Sequence, residues 1–516
     1  MDNFMDDSNL IRHQSALLHR DRLHSRQGMV RHLTLLGLIS LAALPSVIFS
    51  EDFADPAPPQ VATVPTDAPD LVAQPFDRLT FHVAPKALSP DAVVADWPRY
   101  LGPADNCTTP ERPLLGSLPD AGPTLVWEIE KGGGYTSAII AEGRLVLFDR
   151  YDEEEVVSAH DPETGQRFWE DRFPVEYQDR YGFNPGPRAS AVIAQGKVYT
   201  LGVTSTLTCH DLRSGTRLWQ RRLDQEFSRA SYFFGHGCTP LVYEGKVIVP
   251  LGTDDKMSVA AFDADSGALL WGTRHEWNAS YGSPIVAELQ GAPRLLVLGG
   301  GESKPATGGL LCIDPKTGAL HDAFPWRAEK YESVNGQTPV AVGNDQVYIS
   351  DAYELGGVLL RLTPELKWEE VWKAPDFGMH WTVPLIVDGQ LYGFRGRNEP
   401  DAWFASYDIA TGKENWRADP EWSVPLESGR EYRLRYFRGS LLHNPERSYA
   451  LSELGTLGIF DLKPEEFVEV GRCQLFVAQA TWSPPVVSHG LLYISQHEPA
   501  MGGEAPRVLC YDFRGE

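Results

Sequence analysis

Short apolar runs alternate with turn residues from Ser137 to the C-terminus, and the alternation repeats about every 50 residues. A [Ser/Thr]-Pro pair opens several of these runs, as in Ser283-Pro284-Ile285-Val286. A Gly then precedes a second apolar run such as Lys246-Val247-Ile248-Val249. Runs rich in Val, Ile and Tyr that are bounded by Gly and Pro are typical of short β-strands. The pattern therefore predicts an all-β chain built from one repeated unit.

The clearest part of the unit is the motif Asp-x-x-[Thr/Ser]-Gly-x-x-x-Trp. Complete copies run from Asp161 to Trp169, Asp211 to Trp219, Asp263 to Trp271 and Asp408 to Trp416. Asp and Ser/Thr side chains hold a turn by bonding nearby backbone, and Gly supplies a positive φ. The motif thus predicts a turn between two antiparallel strands, with the Trp on an outer strand between neighbouring units. Turn residues that mark the repeat are Asp161, Asp211, Asp263, Asp314, Leu362 (in place of Asp), Asp408, Asp461 and Asp512.

Eight such units indicate an eight-bladed β-propeller, because a period of 40 to 50 residues holding several strands is typical of propeller blades. The last unit, from Thr481 to Asp512, lacks an outer strand. An isolated strand pattern, Leu125-Val126-Trp127, stands before the first complete unit. Placing Trp127 in the eighth blade removes an exposed sheet edge. The sequence therefore predicts a ring closed by an N-terminal outer strand.

These motifs resemble the pyrroloquinoline-quinone (PQQ)-like repeat, over residues 96–516. That family of quinoprotein-type propellers includes the quinoprotein dehydrogenases and BamB, the lipoprotein subunit of a bacterial assembly machine. The lead-in from Asp96 to Pro103 and the segment from Gly186 to Ser190 resemble exported bacterial members. The resemblance implies an eight-bladed fold and leaves the chemistry open, since the repeated residues serve the scaffold.

The N-terminal residues predict export. A basic segment ending at Arg31 precedes an apolar stretch of 17 residues, Leu33 to Phe49. This order is typical of a signal peptide, and Met29 is an alternative start. An uncleaved signal anchor is the competing interpretation. We expect residues 1–50 to be the signal peptide or anchor, 51–95 a Pro-rich linker and 96–516 the propeller, periplasmic or membrane-anchored facing the periplasm.

Charge excludes one class of partner. The chain carries 46 basic and 70 acidic side chains, a net charge of −24. Nucleic-acid binding needs a basic stripe, and the sequence contains none. We expect an acidic, soluble, monomeric ring that contacts a membrane only through its N-terminal segment.

The cysteines do not predict a cofactor site. Cys209, Cys312 and Cys510 each stand two residues before a turn Asp, a position where other units have Ala or Ser, so we expect small core residues there. The sequence leaves the disulfide state of Cys107, Cys238 and Cys473 open. It has no adjacent cysteine pair, which the methanol and ethanol dehydrogenases of the resembled family carry, and no Cys-x-x-Cys-His haem motif. No metal site and no catalytic residue are predicted.

Two functions from different classes remain. The first is a non-catalytic scaffold without a cofactor, binding a protein, peptide or glycan of the cell envelope. The alternative is a PQQ-dependent dehydrogenase that would hold the quinone and calcium in the central funnel.

A ligand of either kind is expected where the residues before each first strand meet around the axis. Aligning the strand starts gives the candidate ligand-binding residues Tyr135, Arg188, His236, Tyr281, Asn335, His380, Trp381 and Trp482. Aromatic rings mixed with a few polar groups suit a small polar or sugar-like ligand or a peptide loop. Arg188 is the strongest candidate, because a cation in a funnel of low dielectric needs an acidic neighbour or an anionic ligand. The alternative is that these groups only satisfy loop backbones and channel water.

Overall fold

The computed structural model describes residues 53–56, 58–64, 70–119, 121–228, 232–398, 401–425 and 429–515. Eight antiparallel blades account for nearly all of its strands. Within each blade, consecutive strands are neighbours. The first strands of successive blades contact one another, as β3 (Ile139–Ala141) contacts β7 (Val192–Ala194), and these strands therefore lie around the axis. The predicted all-β, eight-bladed propeller is confirmed.

The blades are numbered along the chain, and their strands are given from the axis outward. Blades 1 and 2 are β3, β4 (Arg144–Tyr151), β5 (Glu154–His160), β6 (Arg167–Pro174), and β7, β8 (Lys197–Leu201), β9 (Thr206–Asp211), β10 (Arg217–Arg222). Blades 3 and 4 are β11 (Leu241–Tyr243), β12 (Lys246–Pro250), β13 (Met257–Asp263), β14 (Leu269–Arg274), and β15 (Ile285–Leu289), β16 (Ala292–Gly299), β17 (Gly309–Ile313), β18 (Leu320–Pro325).

Blades 5 and 6 are β19 (Val340–Val342), β20 (Gln346–Asp351), β21 (Gly356–Leu362), β22 (Trp368–Ala374), and β23 (Leu385–Val387), β24 (Gln390–Arg395), β25 (Trp403–Asp408), β26 (Glu414–Ala418). Blades 7 and 8 are β29 (Ser440–His443), β30 (Ser448–Leu451), β31 (Thr456–Leu462), β32 (Phe467–Gln474), and β33 (Val486–Ser488), β34 (Leu491–Gln496), β35 (Arg507–Asp512), β2 (Thr124–Glu130), β1 (Leu79–Phe81). A hairpin of β27 (Trp422–Pro425) and β28 (Glu431–Leu434) precedes blade 7, and a short helix, α1 (Leu223–Glu226), follows β10.

The repeated motif builds the outer turn of each blade and ties it to its neighbour. Oδ1 of Asp161 accepts hydrogen bonds from the backbone N–H of Thr164 at 2.8 Å and from its hydroxyl at 2.9 Å. The indole Nε1 of Trp169 donates to the carbonyl of Leu212 in the next blade at 2.9 Å. A Cβ added at Gly215 of that next turn would lie 2.5 Å from the Trp169 ring. The predicted role of the Trp between blades is confirmed.

Blade 8 is completed from the N-terminal side, as predicted. β2 pairs antiparallel with β35, and Trp127 lies opposite Cys510. Trp127 is fully buried, and its indole donates to the carbonyl of Pro162 in blade 1 at 3.0 Å. The ring is therefore closed by a strand that is distant in sequence from the rest of its blade. β1 adds a fifth strand outside β2.

The described part of the Pro-rich segment lies against the outer strands. The Asp55 carboxylate pairs with the buried Arg221 at 2.6 Å, beside blades 2 and 3. The backbone of Ala62 bonds to Leu218 of β10 at 2.8 Å. Gln74 bonds to Arg167 of β6 at 2.9 Å. This segment follows the ring before β1 joins blade 8.

Residues 97–107, here named the axial plug, contact the first strands. Trp97 exchanges backbone hydrogen bonds with Ile140 of β3 at 2.7 and 2.9 Å, and Ile193 of β7 donates to the carbonyl of Pro98 at 2.9 Å. Leu101 belongs to one hydrophobic cluster with first-strand residues of blades 5 to 7, namely Val340, Leu385 and Leu441. Because the first strands lie around the axis, the plug occupies the channel between them. The residues just before these strands carry the candidate site.

All six cysteines lie in the described part of the chain, and none forms a disulfide. Cys209, Cys312 and Cys510 are fully buried, which confirms the predicted small core residues. Residues 1–50, predicted as the signal peptide or anchor, lie outside the described residues. In the described ranges, no helix is long and apolar enough to cross a membrane.

Candidate functional site

A chain of hydroxyl contacts fixes the starts of the first strands. The backbone N–H of Ser137 donates to Ser190 Oγ at 2.9 Å, and that of Ser190 donates to Thr239 Oγ1 at 3.2 Å. The backbone N–H of Thr239 donates to Ser283 Oγ at 3.0 Å, and that of Ser283 donates to Thr338 Oγ1 at 3.1 Å. Four hydroxyls thus link five consecutive blades. This explains the repeated Ser/Thr, and it sets the positions of the residues just before it.

Four candidate residues are in direct ring contact at this end of the axis. The Tyr135 and Trp482 rings stack with centroids 4.9 Å apart. The Trp482 and Trp381 rings are 5.1 Å apart, and Trp381 is 4.8 Å from His380. The Arg188 guanidinium lies 5.6 Å from the Tyr135 ring centroid. These residues come from blades 1, 2, 6 and 8, so the alignment of strand starts brought together side chains that are distant in sequence.

Tyr281 and Arg188 meet at one close backbone approach, and His380 lies at a second. A Cβ added at Gly237 would lie 2.6 Å from the Tyr281 ring and 3.6 Å from the Arg188 side chain. A Cβ at Gly336 would lie 2.9 Å from the His380 carbonyl. We name the group Tyr135, Arg188, Tyr281, His380, Trp381 and Trp482 the axial mouth.

Arg188 has an acidic neighbour, which is one of the two partners expected for this cation, the other being an anionic ligand. Its guanidinium pairs with Asp179 at 2.8 Å, and the two side chains are 10% and 1% exposed. Oδ1 of Asp179 also accepts the backbone N–H groups of Tyr181 and Phe183, at 2.9 and 3.1 Å. The pair therefore positions the loop between blades 1 and 2, and Arg188 needs no anionic ligand to balance its charge.

His236 and Asn335 are bound to the protein itself. His236 is buried, with Nδ1 3.0 Å from the Ser205 hydroxyl and Nε2 2.9 Å from the Cys238 sulfur. Asn335 is buried and donates from Nδ2 to the carbonyls of Gly299 and Trp326, at 3.0 and 3.2 Å. Both side chains hold inter-blade loops, and this matches the alternative in which such groups satisfy loop backbones.

Two residues of the site were missed by the alignment. Arg438 and Glu453 form a buried pair, in which Arg438 Nε donates to Glu453 Oε2 at 2.9 Å. Glu453 Oε1 accepts from the Trp482 indole at 2.7 Å, and the Arg438 guanidinium lies 4.3 Å from the Trp381 ring centroid. A signal existed, because Arg438 stands two residues before Ser440, as Arg188 does before Ser190.

Aromatic side chains of the inter-blade loops extend the mouth to the surface. Phe183 contacts the Trp482 ring at 5.8 Å and the Phe234 ring at 5.6 Å. Phe233 contacts Tyr331 at 5.1 Å. Three exposed rings, here named the rim, are Tyr181 at 51%, Phe183 at 39% and Tyr331 at 40%. They belong to loops that the repeat does not constrain, so no spacing in the sequence identifies them.

Burial shifts the pKa of two titratable groups at the mouth. Burial, with the nearby Arg438 and Arg397 charges, lowers the pKa of His380 well below its ordinary value. The neutral imidazole meets the Tyr353 hydroxyl at 3.0 Å through Nε2. Burial raises the pKa of Glu302, whose Oε1 accepts from the Tyr281 hydroxyl at 2.7 Å.

A buried Ser–His pair lies beside the mouth. Nε2 of His497 is 2.8 Å from the Ser483 hydroxyl, and Nδ1 is 3.5 Å from Nζ of Lys131. Lys131 pairs with Asp149 at 3.1 Å, and the Ser483 hydroxyl donates to the carbonyl of Tyr135 at 2.9 Å. Burial, with the nearby Lys131 charge, lowers the pKa of His497 well below its ordinary value.

Among the described residues, no group of three or more His, Cys, Asp or Glu side chains is placed to hold a metal ion.

One family model matches the chain. It is described as outer membrane protein assembly factor BamB, and it matches residues 153–418 and 256–514, which together exceed half of the chain. No curated protein matches significantly.

Solved structures share the fold at low identity. BamB from Moraxella catarrhalis is 14% identical with a TM-score of 0.50, over 76% of this chain and 100% of that one. Quinohemoprotein alcohol dehydrogenase from Comamonas testosteroni is 13% identical with a TM-score of 0.58, over 82% and 81%. A europium-containing methanol dehydrogenase is 10% identical with a TM-score of 0.55, over 81% and 98%. At these identities the likeness shows the fold alone.

Proposed function

Because the chain belongs to the family of PQQ-like repeat β-propellers whose model is described as outer membrane protein assembly factor BamB, we propose that it is an exported, non-catalytic propeller that binds a cell-envelope component at its axial mouth. One observation carries the proposal. Exposed rings of the rim continue into the less exposed rings of the mouth, from Phe183 at 39% exposure to the half-buried Trp482. A contiguous exposed aromatic surface on a soluble domain marks a binding site.

The charged groups favour binding over catalysis. Asp179 and Glu453, the carboxylates nearest the mouth cations, are already paired with Arg188 and Arg438. A calcium ion of the alternative, a PQQ-dependent dehydrogenase, would break a buried pair if either of these two carboxylates held it, and that is costly. These two pairs therefore favour a ligand held by ring contacts over a calcium–quinone centre.

The location rests on the sequence and the family. The basic segment and apolar run of residues 1–50 are typical of export. The family description names an outer-membrane process. The proposed mature protein works in the periplasm, free or anchored by its N-terminal segment.

Photocrosslinking tests the binding function. A photoreactive phenylalanine replaces Phe183 of the rim or, as a control, Val470 of β32, which is exposed to a matching 40%. The full chain is irradiated in its native cells. Adducts at position 183 and none at 470 are expected. Equal adducts at both positions, or none at 183, would reject the mouth as a binding site.

A second assay addresses the alternative directly. The full chain is mixed with PQQ and Ca²⁺, an artificial electron acceptor and a panel of primary alcohols and aldoses. We expect no substrate-dependent dye reduction. Turnover that disappears in Trp482→Ala would establish the dehydrogenase alternative instead.

A further inference from the structure

Two aromatic rings beside the rim join its three exposed rings. Phe233 is 6% exposed, and its ring centroid lies 5.6 Å from that of Tyr181 and 5.1 Å from that of Tyr331. The half-buried Phe234 ring lies 5.5 Å from Tyr181 and 5.6 Å from Phe183. The backbone of residues 233–234 therefore sets the positions of the two rings that the exposed rim packs against.

One buried carboxyl holds this dipeptide. Glu302 lies in the loop between β16 and β17 of blade 4 and is 6% exposed. Its Oε1 accepts the backbone N–H of Phe233 at 2.9 Å and the Tyr281 hydroxyl at 2.7 Å. That hydroxyl in turn accepts the backbone N–H of Phe234 at 3.1 Å. Both N–H groups, which precede blade 3, are thus bound to one carboxyl oxygen of blade 4, directly or through a single hydroxyl.

This arrangement costs more than the closing of a loop requires. Among the described residues, Oε2 of Glu302 has no hydrogen-bond partner. A buried carboxyl with one unpaired oxygen loses hydration that the protein does not replace. The carboxyl is therefore better explained by the ring positions that its other oxygen fixes.

A buried arginine connects this loop to the Tyr331 ring. Arg327 is 8% exposed, its Nε donates to the carbonyl of Gly300, and its Nη2 donates to the carbonyl of Tyr331 at 3.1 Å. Its charge also favours the ionised form of Glu302, against the burial that raises the pKa of this carboxyl. The other side of the rim has its own anchor in Asp179. All three exposed rings therefore lie on backbone that a buried charged side chain holds.

We propose that Glu302 is a positioning residue for the binding function proposed above. It holds Phe233 and Phe234, and through them the rim, as a preformed aromatic surface. A partner then meets fixed rings and does not have to order the loops, which removes part of the entropic cost of binding. The inference rests on the proposed function and adds a residue on which its affinity depends.

Photocrosslinking from position 183 tests the inference in the full chain, irradiated in its native cells. The loop of Phe183 is anchored by Asp179, so a Glu302 variant acts on it through Phe234. Glu302→Ala should lower the adduct yield about fivefold, because loops that must first be ordered bind more weakly. Glu302→Gln keeps an acceptor oxygen and should retain the yield within about twofold. The control Glu329→Ala, at an exposed glutamate of the Tyr331 loop, should leave the yield unchanged.

Hydrogen–deuterium exchange of the purified full-length variants gives a readout that needs no partner. Residues 232–238 should exchange about tenfold faster in Glu302→Ala and at the parent rate in Glu302→Gln, whereas the outer strands stay protected in both. Tyr281→Phe removes only the hydroxyl that links Phe234 to the carboxyl. This second variant should also lower the adduct yield, in a ring whose outer strands stay protected.

Two results would overturn the inference and leave the proposed function intact. One is an undiminished adduct yield in Glu302→Ala, whether or not residues 232–238 exchange faster, since Glu302 would then only hold a loop. The other is an undiminished yield in Tyr281→Phe. If the parent chain gives no adducts at position 183, the proposed function fails, and the inference fails with it.

Discussion

The Trp482 indole donates to Glu453 Oε1 at 2.7 Å, and the same carboxylate pairs with Arg438. The Arg438 and Glu453 side chains are 8% and 4% exposed. One buried ion pair thus orients a mouth aromatic and links blades 7 and 8.

Glu453→Gln should destabilise the ring by about 3 kcal/mol, because Arg438 would remain buried without a counter-charge. The amide oxygen can still accept the Trp482 hydrogen bond. Urea unfolding measures the change. Glu466→Gln removes the partner of an exposed pair with Lys463 and should cost less than about 1 kcal/mol. Equal effects of the two variants would show that the Arg438 pair is not structurally important.

Gly215 and Gly196 test the contact between blades. Both have positive φ, +75° and +72°, but a Cβ at Gly215 meets the Trp169 ring at 2.5 Å, whereas Gly196 faces open space. Gly196→Ala should cost about 1 kcal/mol of backbone strain. Gly215→Ala should cost about 2 kcal/mol more, because the ring must shift. Thermal unfolding of the two variants gives the difference, and equal costs would contradict the proposed packing.

The buried carboxyl of Glu155 should make the stability of the ring depend on pH. It is fully buried, Oε1 accepts from the N–H of Val203 at 2.8 Å, and burial raises its pKa from 4.5 to about 7. Because the pKa of Glu155 is higher in the folded than in the unfolded state, its protonated carboxyl stabilises the fold below pH 4.5. This stabilisation, about 3 kcal/mol, is lost as the pH rises to 7. Glu155→Gln should remove this loss, so the variant is the more stable protein at pH 8. The control Glu154→Gln, at an exposed neighbour, should leave the pH profile of urea unfolding unchanged. An unaltered profile in Glu155→Gln would refute the account.

Export is tested by N-terminal sequencing of protein isolated from native cells. Cleavage after the apolar run should give a first residue beyond Phe49, in the periplasmic fraction. Recovery of intact Met1 in the soluble cytosol would contradict export.

The sequence predicted the ring because its determinants are local and repeated. Asp161 and Gly165 shape one turn, and Trp169 contacts the next, so spacing alone revealed the blades. The missing outer strand of the last unit predicted that the strand containing Trp127 closes the ring. Aligning the starts of the first strands also found Tyr135, Trp381 and Trp482, because the hydroxyl contacts between blades hold the starts at equivalent positions.

The features that the sequence did not predict depend on contacts between segments that are distant in the chain. Phe183 and Tyr331 lie in inter-blade loops that follow no repeat, and only the folded ring brings them to one rim. The lead-in beginning at Trp97 was recognised as a motif, yet its position in the channel depends on backbone pairing with Ile140. The roles of His236 and Asn335 likewise depend on partners that no spacing specifies.

Hydrogen–deuterium exchange tests the central claim most directly. The full chain is measured alone and with the soluble envelope fraction of its native cells. The account predicts slower exchange at the mouth and rim, in peptides covering residues 177–190, 232–238, 329–337, 378–383 and 478–483, and no change in the outer strands. Slower exchange confined to outer strands such as β14 and β32, or no change at the mouth, would contradict a propeller that binds through its axis.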